Sequence, residues 1–143
     1  MIRTILFPGC VDGNFDVAFD HANDPKVYYG GRFVRICGDH FWDNNNGANV
    51  FCQQLGYEAG TIVKSSGVAR NGEDALYVGE CPSSAKSLSD CKGDPNAAGV
   101  KSIKKHEDCT ASVPFAIQCT GVLPGRETRT STCIGITKSI SYL

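Results

Sequence analysis

Sulfur is the most abundant reactive element in this sequence. Eight cysteines, Cys10, Cys37, Cys52, Cys81, Cys91, Cys109, Cys119 and Cys133, fall within 143 residues. No two have the short spacing of a zinc ribbon or a thioredoxin-type redox pair. His106-x-x-Cys109 is the closest His/Cys pair and needs distant partners to hold a metal. The remaining histidines, His21 and His40, sit in predicted turns, outside any nucleophile-elbow, zinc-protease or phosphate-loop pattern. A nucleophile needs a base within reach and a group to orient that base, and neither is visible here. Oxidised cysteines would leave no thiolate, so the sequence predicts no enzyme and no required cofactor.

Charge provides two further candidates. Lys92, Lys101, Lys104 and Lys105 load one loop with positive charge, suited to a polyanion such as a sulfated glycan or to a solvated surface. Asp94, Glu107 and Asp108 dilute it. Asp39, Asp43, Glu107 and Asp108 are the candidate ligands for a hard cation such as calcium, which takes several carboxylate oxygens. Fourteen basic against fifteen acidic residues give a net charge of -1, which argues against nucleic acid as the partner. No apolar run approaches the ~18 residues of a membrane span. The first four residues are too polar for a secretory signal, yet so many cysteines imply an oxidising compartment. Both facts fit one piece of a longer exported protein.

The elements that must position these residues follow from periodicity. Phe15, Val17 and Phe19 alternate with Asp16, Ala18 and Asp20, which predicts a half-buried strand. His21 to Pro25 is a turn by composition, and Gly30-Gly31 opens a second strand over 32–37, predicted to pair antiparallel with the first. Ala48, Phe51, Cys52 and Leu55 recur at helical spacing. Asn44-Asn45-Asn46 offer caps before them and Gly56 a left-handed stop after them, predicting a helix over about 46–55. Residues 61–63 and 75–78 read as short strands, 83–90 as one or two helical turns, 92–108 as a surface loop, and 111–119 as ending in a strand. Residues 1–12 and 121–143 read as flanks of one domain over 13–120.

Several motifs in order resemble the scavenger receptor cysteine-rich (SRCR) domain. Gly31-Arg32-Phe33-Val34-Arg35-Ile36-Cys37 is similar to the family's Gly-x-Trp-Gly-x-Val-Cys strand, with Phe33 in place of tryptophan. Trp42-Asp43 and Ala48-Asn49-Val50-Phe51-Cys52-Gln53-Gln54-Leu55-Gly56 resemble its Trp-Asp and helix motifs. Ser87-Leu88-Ser89-Asp90-Cys91 and the steps from Cys81 to Cys91 and Cys109 to Cys119 also agree. The resemblance implies an α+β fold, a curved antiparallel β-sheet cradling one main helix. It implies the bridges Cys37–Cys109, Cys52–Cys119 and Cys81–Cys91 of the six-cysteine type, where spacing alone leaves on the order of a hundred pairings open. Cys10 could be the first cysteine of the extra bridge in the eight-cysteine type, but Tyr57 occupies its partner's place. That leaves Cys10 and Cys133, both outside the matched region. We expect them to pair with each other, or with another part of a parent chain.

The family's divalent-cation cluster is incomplete here: Gly38-Asp39 stands for two aspartates and Val113-Pro114 for Glu-Asp. The functional expectation is a non-catalytic extracellular module, secreted or at the cell surface. It would bind protein or polyanionic glycan partners through exposed loops, without inserting in a membrane. The alternative is a structural or regulatory spacer beside other domains of a parent enzyme or adhesion protein.

Overall fold

The computed structural model describes residues 12–20, 23–64, 73–105, 109 and 115–122. Expectations for Cys10, His21, His106, Glu107, Asp108 and Cys133 therefore lie outside the described residues.

Seven strands and one α-helix are described: β1 (Val17–Phe19), β2 (Pro25–Tyr29), β3 (Arg32–Ile36), α1 (Asn46–Gln54), β4 (Tyr57–Lys64), β5 (Ala75–Tyr77), β6 (Ser102–Lys104) and β7 (Phe115–Val122). The architecture is α+β, with the strands divided between a five-stranded sheet, β1-β2-β3-β5-β6, and the two-stranded pair β4-β7. All pairings are antiparallel except β3–β5, which sets Arg35 beside Ala75 and Ile36 beside Leu76 in parallel.

The β2–β3 hairpin forms because Gly30 and Gly31 take φ of 62° and 95°, which a two-residue turn of this type requires at both positions. This hairpin corrects the predicted pairing. β2 runs from the proline assigned to a turn and lies between β1 and β3, so the two predicted strands are not neighbours. Alternation along β2 and β3 buries Val27, Val34 and Ile36 and leaves Lys26, Phe33 and Arg35 on the other face.

Val17, Val27, Val34, Ile36 and Leu76 join Phe41, Val50, Phe51, Leu55 and Leu88 in one core cluster. The helix contributes Ala48, Phe51, Cys52 and Leu55, the residues its period predicts, and packs chiefly on β4 and β7. Leu55 is its C-cap, and Gly56 follows with φ 96°. Asn45 at the N-cap makes no side-chain cap bond, while Asn44 Oδ1 accepts from the first helical amide, Asn46, at 2.9 Å. Asn45 Oδ1 instead accepts from the Ile62 amide at 3.0 Å, Asn49 Oδ1 from the Gly60 amide at 2.9 Å, and Asn46 donates to the Cys81 carbonyl at 3.0 Å.

Three disulfides brace this frame: Cys37–Cys109 over 72 residues, Cys52–Cys119 over 67 and Cys81–Cys91 over 10. On the reverse face of the five-stranded sheet, Cys37 and Cys109 form a second small cluster with Ala75 and Tyr77.

Candidate functional site

The segment predicted as one surface loop is more ordered than its composition suggests. It holds a 3-10 turn over Pro95–Ala97 and the strand β6. Asp94 organises it. Its amide donates to the Val100 carbonyl at 3.1 Å, its own carbonyl accepts from the Ala97 and Gly99 amides, and its side chain accepts from the Asn96 amide at 2.9 Å. Gly93, with φ 72°, lies so close to the Gly99 carbonyl that a Cβ there would collide with it. Ala98 holds a left-handed φ of 55°, a conformation that an ordinary side chain disfavours and that this closed loop imposes. The tip, residues 95–100, is thus a fixed shape with Val100 55% exposed.

The four lysines of this segment do not form one free cationic patch. Lys92 pairs with Glu80 at 3.3 Å, both well exposed. Lys104 pairs with Asp94 at 3.3 Å, where the aspartate side chain is only 9% exposed. The Lys101 ammonium stands 5.8 Å from the centre of the Phe15 ring, and its carbonyl accepts from the Tyr29 hydroxyl at 3.1 Å. Lys105 is exposed.

Basic side chains gather on the opposite side of the β2–β3 hairpin. Lys26, Arg32, Phe33, Val34 and Arg35 line an open recess of about 380 Å³ with Glu73 and Asp74. The register places Lys26 directly opposite Arg35 and Tyr28 opposite Phe33, whose rings meet edge to face at 5.1 Å. Lys26 stands 3.8 Å from Asp20 and 3.9 Å from Glu73, and Arg32 binds Asp74 at 3.2 Å. Glu73 and Asp74 are each two-fifths exposed. The exposed Arg32–Asp74 pair is worth about 0–1 kcal/mol.

The sequence reading missed this recess. Lys26 and Arg35 are separated by a turn and a strand that was not recognised, and only the β2–β3 register makes them neighbours. The available signal was the alternation of Lys26 and Arg35 with the buried Val27, Val34 and Ile36.

Of the acidic residues expected to hold a cation, Asp39 and Asp43 are described, and their carboxylates do not fall in one converging set of three ligand atoms. His40 Nδ1 lies 3.1 Å from an Asp43 carboxylate oxygen, both exposed. Among the described residues, the only set of three ligand atoms that converges is Asp39 with Cys37 and Cys109. Those two sulfurs are bonded to each other, so they offer no thiolate to a metal. The described donor set therefore does not fit a calcium ion. Tyr77 lies in this acidic neighbourhood. Burial first, then the charges of Asp94, Asp39 and Asp43, raise its pKa above the ordinary phenol value. Among the described residues no cysteine is free, and no hydroxyl or thiol is held by a histidine in the manner of an activated nucleophile.

Compared with known proteins, the chain matches the scavenger receptor cysteine-rich domain over residues 25–120. It is 41% identical over 66 residues to macrophage receptor MARCO of Mus musculus, a stretch covering 46% of this chain and 12% of that receptor. No solved structure matches. No described helix is long and apolar enough to cross a membrane.

Proposed function

This chain belongs to the scavenger receptor cysteine-rich family, and on that premise we propose that it is a non-catalytic extracellular recognition module of a larger receptor-type protein, binding anionic ligands at the β2–β3 recess. Three disulfides suit it to an oxidising compartment and hold the sheet while surface segments remain available to a partner. Its likeness to a part of a macrophage receptor supports the receptor context.

The observation that carries the reading is the convergence of Lys26, Arg32 and Arg35 on one open recess beside Phe33. Sulfate or carboxylate groups on a glycan or a protein would replace the exposed Glu73 and Asp74 as their partners. Guanidinium groups suit this exchange because they bind such anions through two parallel hydrogen bonds. We place the polyanion role first considered for Lys92, Lys101, Lys104 and Lys105 at the recess because three cationic side chains line one opening there.

Retention of the full chain on immobilised heparin at increasing salt tests the reading. Arg32→Ala/Arg35→Ala is expected to elute at clearly lower salt than the parent, and Lys92→Ala/Lys105→Ala close to it. Parent protein that flows through at low salt, or equal elution of the Arg32→Ala/Arg35→Ala variant, overturns the site and favours the spacer role.

A further inference from the structure

The β2–β3 hairpin carries two neighbouring rows on the face turned away from the core. Lys26 and Arg35 form one, and Tyr28 and Phe33 the other, with the two rings edge to face at 5.1 Å. β5 runs parallel to β3 with Ala75 beside Arg35, so Glu73, which precedes β5, enters the recess at the level of Phe33. The Glu73 Oε2 atom is buried and takes no hydrogen bond from any described residue. Its ion-pair partner is Lys26, whose ammonium lies 3.9 Å away, beyond hydrogen-bond length, and is shared with Asp20 at 3.8 Å.

We propose that the recess selects a sugar carrying an anionic group next to a free hydroxyl, with Glu73 accepting from that hydroxyl, rather than negative charge alone. The inference rests on the anion-binding reading of the same recess. An anion that takes over Lys26 leaves Glu73 with a buried oxygen that has neither a donor nor its cation, an unfavourable state for a carboxylate. A ligand made of anions alone leaves that penalty standing. A sulfated or carboxylated sugar removes it, because a hydroxyl beside the anion donates to Oε2. The aromatic row adds an apolar surface, with Phe33 in the wall of the recess, that suits the C–H face of a sugar ring. A run of acidic side chains brings carboxylates without a hydroxyl beside them and fits less well. Sites built to hydrogen-bond a hydroxyl discriminate strongly against analogues that lack it.

Fluorescence anisotropy at fixed salt tests it, with the full disulfide-bonded chain, a labelled heparin oligosaccharide and the same oligosaccharide with its free hydroxyls methylated. The two probes carry equal charge. The parent is expected to bind the free-hydroxyl probe about tenfold more tightly, as one hydrogen bond to a charged group allows. Glu73→Met should bind both probes equally, whereas Glu73→Gln, which keeps an acceptor oxygen without the charge, should retain part of the preference. Equal binding of the two probes by the parent, or an undiminished preference in Glu73→Met, overturns the inference and leaves the anion site standing. So does a Glu73→Gln protein as indifferent as Glu73→Met, since charge would then set the preference. Poly(glutamate) that binds the parent as tightly as the sugar overturns it in favour of a protein ligand. A parent that binds neither probe, or Arg32→Ala/Arg35→Ala binding both as the parent does, removes the anion site itself and this inference with it.

Discussion

Removing disulfides of different span tests the physical premise of this fold directly. Two double variants are compared with the parent, Cys52→Ala/Cys119→Ala and Cys81→Ala/Cys91→Ala. The bridges close segments of 67 and 10 residues. With Cys37–Cys109 intact, Cys52 and Cys119 are already joined through that bridge by a path of about 25 residues. On the loop-entropy relation the long bridge therefore restricts the unfolded chain by about 3.5 kcal/mol more, and the short one by about 2.7 kcal/mol. Each variant also loses two sulfurs from packed positions, Cys52 at 0% exposure and Cys81 and Cys91 at 1% and 3%, with Cys119 partly buried. The packing terms are similar and largely cancel between the two variants. A difference of about 0.8 kcal/mol should remain. Urea unfolding followed by circular dichroism measures it, provided the slope is similar in all three proteins. The long-bridge variant should show the lower midpoint, or be partly unfolded without denaturant if the parent lies near the low end of the usual stability range. Equal losses, or a larger loss from the short bridge, would refute the argument that covalent restriction of the unfolded chain dominates.

Gly47→Ala sets two effects against each other. Alanine gains about 1 kcal/mol of helix propensity, while a Cβ at this site would stand 2.6 Å from the Phe41 ring. That ring is 1% exposed and packed edge-on against Trp42 at 4.7 Å, so it cannot yield cheaply. Overpacking of about 1–3 kcal/mol should prevail and lower the urea midpoint; a midpoint at or above the parent's would show that Phe41 moves freely. Tyr77 predicts an alkaline weakness. Its folded pKa lies above that of the unfolded phenol, so the folded state holds its proton longer, and stability falls as pH rises past about 10. Phenolate absorbance should show one tyrosine titrating later than the others, and Tyr77→Phe should remove that late step.

Local patterns in the sequence were readable where local forces decide the structure. The helix follows from apolar spacing at Ala48, Phe51, Cys52 and Leu55, because burial of one face sets its period. Gly30-Gly31 marked the start of β3, but the hairpin that these glycines turn was not read, because β2 before them was not recognised. Long-range pairing was not readable in the same way. β6 carries Ser102 and Lys104 around a partly exposed Ile103, so its apolar signal is a single residue. It is a strand because β5 supplies a partner. The parallel contact of β3 with β5 joins segments about forty residues apart, and no local pattern encodes it. The basic recess was missed for the same reason: Lys26 and Arg35 meet through strand register, and Glu73 and Asp74 arrive on the approach to β5, the parallel neighbour of β3.

The asparagines show how an element end can be reassigned by tertiary contacts. Asn44 satisfies the first helix amide, a bond worth about 1 kcal/mol. Asn45 and Asn49 instead satisfy the amides of Ile62 and Gly60, the outward-facing donors on the edge of β4. An open strand edge invites pairing with another chain, and native proteins close such edges in several ways. Here the helix closes it with side chains, and the Cys52–Cys119 bridge fastens the same helix to β7. Fixing α1, β4 and β7 as one block removes their freedom to adjust to a ligand. The proposed anion site, the β2–β3 recess, lies outside this block, on strands whose register is set by their own hairpin.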